Sequence, residues 1–124
     1  MNSTQISKLN CKFAKIYNKE EMICMLMEES AELIQACNKY LRYVSKKRKS
    51  KKKKKLIQDL SSMKKDVMSS LIEEIADTEI FIERIKLQLK ISDKDILKWK
   101  ASKLKRQKAR LKEERRTQIK QKGI

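Results

Sequence analysis

The chain of 124 residues contains no proline, no histidine and a single glycine near its end. Sheets whose strands are joined by tight turns need glycine, proline and alternating β-branched residues, and this pattern is absent from the sequence. The composition therefore predicts an all-α protein, a single-domain bundle of about four to five helices.

Long apolar runs are also missing. No segment approaches the roughly 18 apolar residues that a membrane-spanning helix needs. The first ten residues, MNSTQISKLN, lack the apolar core of a secretory signal. The three cysteines, Cys11, Cys24 and Cys37, lack the close paired spacing of a zinc site. We therefore expect a cytoplasmic protein without a membrane span, whose cysteines act as small apolar side chains.

The net charge of +17 is concentrated in two segments. Residues 46–55, KKRKSKKKKK, carry +9, and residues 92–124 carry another +9 from 13 basic and 4 acidic side chains. The rest of the chain holds 11 basic and 12 acidic residues and is nearly neutral. The basicity therefore belongs to two segments that flank a neutral helical part.

Apolar residues recur at helical spacing in four stretches of the chain. These stretches are 5–17, 19–44, 56–91 and 92–118. Asn18 is the predicted break between the first two. Ser92 is a capping residue for the last helix, and Asp95 occupies the capping-box position.

The lysine-rich block is predicted to be a loop insertion at about 45–56, because its charges repel one another and it offers nothing to bury. A single helical domain then spans residues 1–118, and residues 119–124 form a frayed basic tail. The insertion is either a tolerated lengthening of a loop, or a segment that crowds a substrate entrance or recruits an acidic molecule.

Two stretches place carboxylates where the apolar stripe of a helix should be, LMEESAEL in the second helix and LIEEIADTEI in the third. A helix turns by about 100° per residue. Glu29 then falls inside the core-facing arc of its helix, and Glu32 falls at the edge of that arc. On the third helix Glu74 falls within the apolar arc, with Asp77 beside it. Each helix therefore presents a carboxylate pair at i, i+3 spacing on its buried side.

A buried carboxylate is costly unless it is paired or binds a metal, and four that converge repel one another. A divalent cation removes that repulsion. Oxygen ligands suit Mg²⁺ or Mn²⁺, and helical bundles build such sites from inward carboxylates on facing helices. The alternative is that these residues are ordinary surface carboxylates with salt-bridge partners. We favour that alternative for four other glutamates, Glu28, Glu73, Glu79 and Glu83.

The stretches EESAELIQACNKYLR and LIEEIADTEIFIERIKLQL resemble the MazG-like family of all-α nucleoside triphosphate pyrophosphohydrolases. The family pattern is E-x-x-E on one helix and E-x-x-D on a later one, and the resemblance covers most of the chain from Gln5 to about Gln107. It implies a MazG-like fold and a metal-dependent enzyme that cleaves NTP or dNTP to the monophosphate and pyrophosphate. A role in nucleotide-pool house-cleaning and a homodimer with the site near the subunit interface are also implied.

Carried over by this resemblance, the Mg²⁺ ligands would be Glu29, Glu32, Glu74 and Asp77. Glu29, Glu74 or the adjacent Glu28 would orient or deprotonate the attacking water. Basic side chains would steady the β and γ phosphates. The candidates for that role are Arg84, Lys86, Lys103 and Arg106.

The alternative from another class is a non-enzymatic basic helical module that binds nucleic acid or another polyanion through Lys46–Lys55 and the last helix. Lysines outnumber arginines by 26 to 7, and no aromatic residue interleaves the block. These features predict non-specific contact at most, because lysine reads base edges poorly. A third interpretation is a helical scaffold whose basic last helix pairs with a partner, and it leaves Glu29 and Glu74 unexplained.

Overall fold

The computed structural model describes residues 1–49 and 56–123, which contain α-helices and, within those two ranges, no strand. The helices are α1 (Ser3–Ala14), α2 (Lys19–Lys49), α3 (Leu56–Gln88) and α4 (Asp93–Lys122). The predicted all-α class and helix number are confirmed. α2 and α4 both continue past their predicted ends, and residues 50–55 of the predicted loop insertion lie outside the described residues.

Short polar residues start three of the helices. Asn18 accepts a hydrogen bond from the Glu21 backbone N–H at 2.8 Å, and Glu21 accepts one in return from the Asn18 backbone at 3.2 Å. Asn2 begins α1 with the same reciprocal arrangement. Before α4, the Ser92 hydroxyl accepts from the Asp95 backbone N–H at 3.1 Å, as the sequence predicted. These caps satisfy N–H groups that have no partner within the helix.

The chain divides into two compact units, one made of α1 to α3 (Met1–Lys90) and one that contains α4. The first unit ends at Lys90, whose φ of 55° lies in the left-handed region that commonly terminates a helix. The domain limits predicted from the sequence stay a prediction.

The first unit has a small core. In it, α2 packs along α3, and α1 packs on α3. Ala14, Met22 and Ile85, one residue from each helix, form a buried cluster. Ala36 of α2 is also buried, as the predicted core-facing arc requires. Because α2 is uninterrupted, the same arc carries Glu29 between Met22 and Ala36 toward α3.

Many large apolar side chains of this unit stay exposed. They form one stripe on each helix: Ile6, Leu9 and Phe13 on α1, with Ile16 just after its end; Ile23, Met27, Ile34 and Leu41 on α2; Met68, Ile72, Ile75 and Ile82 on α3. Monomeric proteins rarely expose contiguous apolar patches on this scale. The core of one copy therefore leaves most of the apolar surface uncovered.

The α4 unit has no buried residue along its helix. Its large apolar side chains, Leu97, Trp99, Leu104, Leu111 and Ile119, are all exposed. Among the residues described, no helix combines the length and apolar content that crossing a bilayer requires.

Candidate metal centre

α2 and α3 bring three carboxylates together. One oxygen of each of Glu29, Glu32 and Glu74 lies within 4.8 Å of the other two. Glu29 and Glu32 come from consecutive turns of α2, and Glu74 comes from α3, where Thr78 is buried one turn further on. Residues 45 positions apart in the sequence therefore contribute to one acidic cluster.

Two of the three carboxylates are shielded from water. Glu29 and Glu74 are half-buried, and the Oε2 atom of each has no access to solvent and no hydrogen-bond partner among the described residues. Glu32 is exposed at the edge of the cluster. An ionised oxygen that loses water without gaining a partner is costly, so this arrangement calls for a proton or a cation.

The local electrostatics agree with that requirement. Burial is the largest cause that raises the pKa of Glu29, and the charge of Glu32 is the next. Burial also leads the causes that raise the pKa of Glu74, followed again by Glu32. A carboxyl–carboxylate contact with Glu32 adds to both effects. Both shifts make loss of the proton more difficult than for an isolated glutamate, and a positive charge in the cluster would oppose them.

The donor set fits a hard divalent cation. All three ligand atoms are carboxylate oxygens, and the chain has no histidine. Mg²⁺ and Mn²⁺ prefer oxygen ligands of this kind and keep part of their water shell, so three protein ligands are sufficient. The two shielded Oε2 atoms are the observation that this fit explains.

Asp77 and Glu28 lie at the border of the cluster. Asp77 is half-buried on α3, and its charge helps to raise the pKa of both Glu29 and Glu74. It is not one of the three residues whose oxygens converge. Glu28 is exposed, and its charge contributes to the raised pKa of Glu29. Both residues therefore shape the field of the cluster from outside it.

Arg84, the first candidate for phosphate binding, is engaged between α1 and α3. Its guanidinium lies 5.1 Å from the centre of the Phe13 ring and 4.7 Å from that of Phe81. Its Nε atom donates a hydrogen bond to Asn10. Arg84 follows Glu74 by ten residues, about 15 Å of helix rise. In this structure the side chain therefore holds α1 against α3.

The other three phosphate-binding candidates lie on two helices. Lys86 is half-buried on α3. Lys103 and Arg106 are exposed on α4, in the other compact unit. Their roles stay predictions.

Sequence reasoning missed two polar residues that fix α1. Asn10 is buried, and its amide donates to the Ile80 carbonyl at 3.1 Å and to Glu83 at 3.0 Å. Gln88 donates to the carbonyl oxygens of Ala14 and Tyr17 at the end of α1. The sequence did contain one indication of these contacts. Asn10 and Ala14 are spaced i, i+4, so they share a face of α1 that lies beside its apolar stripe.

No family model, no curated protein and no solved structure matches the chain.

Proposed function

We propose that the protein is a Mg²⁺-dependent nucleoside triphosphate pyrophosphohydrolase of the MazG-like kind, acting in nucleotide-pool house-cleaning. The observation that carries the proposal is the convergence of Glu29, Glu32 and Glu74 within 4.8 Å, with two shielded oxygens that lack a partner. The E-x-x-E and E-x-x-D pattern supports the same assignment. A purely structural role would not explain why three carboxylates converge where two of their oxygens lose contact with water.

Each residue of the cluster has a distinct task in this proposal. Glu29, Glu32 and Glu74 would hold Mg²⁺, with Asp77 adding negative charge beside them. When bound, Mg²⁺ would neutralise phosphate charge and lower the pKa of the attacking water. Glu28, which is exposed next to Glu29, would orient that water from the solvent side. Glu29 or Glu74 would be the alternative group to orient or deprotonate that water.

The proposed enzyme is a homodimer. The apolar stripes of α1, α2 and α3 support this, since a second copy would cover side chains that one copy leaves in water. Outside residues 46–55 this part of the chain is nearly neutral, so charge repulsion between two copies would come from that segment alone. On α2 the exposed stripe lies more than about 100° around the helix from Glu29, so the dimer interface and the carboxylates would occupy different faces of that helix.

A nucleotide panel tests the proposal. Purified protein is incubated with Mg²⁺ and standard or modified NTPs and dNTPs, and pyrophosphate and the monophosphate are quantified together. We expect equal amounts of the two products from at least one nucleotide, with no release in the presence of EDTA. Release of inorganic phosphate and a diphosphate would contradict cleavage between the α and β phosphorus atoms, and no release from any nucleotide would contradict the enzyme assignment.

A further inference from the structure

α4 carries leucines in a heptad pattern. Leu97, Leu104 and Leu111 are seven residues apart, so they lie on one side of the helix over four turns. All three are exposed, with exposed fractions of 66%, 63% and 49%. Leucine repeated at this spacing on a long helix is typical of a seam that packs against another helix. The three leucines therefore form an exposed apolar seam along α4.

A groove beside this seam is lined by side chains of alternating character. Its lining includes Leu104, Lys108, Leu111, Arg115 and Ile119. Lys108 and Arg115 each follow a leucine by four residues, so they occupy the second seam position of the heptad, which faces a partner helix. A helix that docks there would contact leucine side chains and positively charged side chains alternately along its length. Its own seam must then offer apolar side chains and carboxylates.

The charge of α4 also calls for a negative partner. The segment from residue 92 onward holds 13 basic and 4 acidic residues. Arg106 and Arg110, and likewise Lys108 and Lys112, are like-charge pairs at i, i+4 spacing, which destabilise a helix. The ion pair between Glu113 and Arg116, at 4.0 Å, lies at the exposed surface and offsets little of this repulsion. Carboxylates on a neighbouring helix would relieve the remaining repulsion.

We propose that the Leu97–Leu104–Leu111 face of α4 docks an acidic amphipathic helix of a partner protein, with leucines at heptad spacing and glutamates at the flanking positions. A second copy of α4 is a poor occupant, because it would bring another segment of 13 basic and 4 acidic residues against the first. The proposal does not depend on the hydrolase activity.

Two other polyanions fit the face less well. Nucleic acid would neutralise the basic side chains but leave the leucine seam in water, since phosphate contacts need no apolar stripe. A membrane surface needs a wide apolar face, whereas here one leucine recurs every seven residues with Lys108 and Arg115 between. Trp99, the one tryptophan of the chain, lies about 200° around the helix from Leu97, so it would not enter the bilayer with the leucines.

The test uses the full chain and a synthetic four-heptad peptide with leucine at one seam position and glutamate at the other seam position and the flanks. Such a peptide is unfolded alone because its charges repel, so helix formation on mixing reports docking. Binding is followed by circular dichroism and by the anisotropy of a fluorescent label on the peptide. A second peptide of the same composition, with its leucines moved off the seam, is the matched probe.

Three variants of the chain separate the seam from general basicity. Leu104→Ala with Leu111→Ala keeps helix propensity and charge, and we expect it to weaken binding by about 100-fold. Lys108→Gln with Arg115→Gln removes two charges from the seam, with an expected loss of about tenfold. Arg110→Gln with Lys120→Gln removes the same charge from the opposite side and should change affinity by less than about twofold.

Several results would overturn the proposal. Equal binding of the two peptides, or an unchanged affinity of the leucine variant, would mean that the peptide senses only positive charge, including that of residues 46–55. Equal losses in the two charge variants would have the same meaning. If duplex DNA or phosphatidylserine vesicles lose affinity with the leucine variant while the peptide does not, the face belongs to that ligand. A leucine variant that dissociates the free protein into monomers would assign the face to a second copy.

Discussion

In the unit of α1 to α3, two carboxylates each hold a shielded oxygen without a partner, whereas in α4 every basic side chain lies in solvent. A solvated charge interacts weakly with its neighbours, while a charge removed from water needs a specific partner. The burial of Glu29 and Glu74 is therefore sufficient by itself to indicate a candidate site. The basic residues of α4 become informative only together with the leucine seam that runs among them.

The apolar residues of the two units differ in the same way. On α2, one arc, which includes Met22 and Ala36, is buried, and a second stripe, which includes Ile34, is exposed. α4 has only an exposed stripe. A helix with one buried apolar face and a second exposed one belongs to a core that is only partly covered. α4, in contrast, has no buried residue along its length. This difference predicts two kinds of interface, a homodimer on α1 to α3 and an acidic helix on α4.

The largest expected effect concerns catalysis. Glu74→Gln removes one of the three converging carboxylates while it keeps the size of the side chain. We expect pyrophosphate release to fall by about 100- to 1,000-fold, because the cation and the water that it activates lose a ligand. Glu73→Gln, at the exposed neighbouring position, is the matched control and should stay within about twofold of the parent protein. Equal activities of the two variants would mean that the carboxylate cluster does not take part in the reaction.

The two units should respond differently to loss of an apolar side chain. Met22→Ala empties a fully buried position at the junction of three helices, so we expect the free energy of unfolding to fall by about 2–5 kcal/mol. Leu104→Ala on exposed α4 should change it by less than about 0.5 kcal/mol. Urea denaturation followed by circular dichroism measures both values. Similar losses would mean that α4 contributes to the same core.

The dimer prediction also separates the units. Ile34→Asp places a charge in the exposed stripe of α2, and we expect the dimer dissociation constant to rise by about 100-fold or more, because a carboxylate would be desolvated at the interface. Leu111→Asp on α4 should leave it unchanged. Sedimentation velocity across a concentration series distinguishes these outcomes. A parent protein that is monomeric at every concentration would refute the homodimer.

The smallest effect is the pH dependence of stability without divalent cations. The pKa values of Glu29 and Glu74 are raised in the folded state above the ordinary value of 4.5. Both groups are neutral in either state below that value. As the pH rises above 4.5 the unfolded chain ionises first, so folding stability falls until the raised folded-state pKa values are passed.

Denaturation midpoints in EDTA between pH 4.5 and 8 test this dependence. Glu74→Gln should flatten the fall, and Glu73→Gln should not. Addition of Mg²⁺ at neutral pH should restore stability to the parent protein more than to Glu74→Gln. A parent protein whose midpoint rises over this pH range by the same amount as that of Glu74→Gln would contradict the raised pKa.

The sequence predicted the features that depend on a single uninterrupted helix. On α2 the rotation of about 100° per residue is sufficient to place Glu29 on the same side as Met22 and Ala36. On α3 the same geometry relates Glu74 to Ile85. The length of α2 was underestimated, because the expected repulsion among lysines did not end the helix, and lysine itself has a good helix propensity.

The features that the sequence did not predict depend on contacts between helices. α1 turns Asn10 and Ala14 toward α3 and leaves Phe13 partly exposed, a choice that the local spacing alone does not determine. The contact of the Arg84 guanidinium with Phe13 depends on where α1 docks, whereas its contact with Phe81 lies within α3. The shielding of single carboxylate oxygens likewise arises only when α2 and α3 are packed together.

Binding of Mn²⁺ tests the shared-cation claim most directly. Electron paramagnetic resonance would quantify free Mn²⁺ in the presence of the parent protein, Glu74→Gln and Glu73→Gln. Each sample is measured alone and with a nucleotide analogue whose α–β bridge is methylene. We predict that the parent protein and Glu73→Gln bind the ion alike and that Glu74→Gln loses most of this affinity. Equal binding by all three proteins, or no binding by the parent protein even with the analogue, would contradict a cation held between α2 and α3.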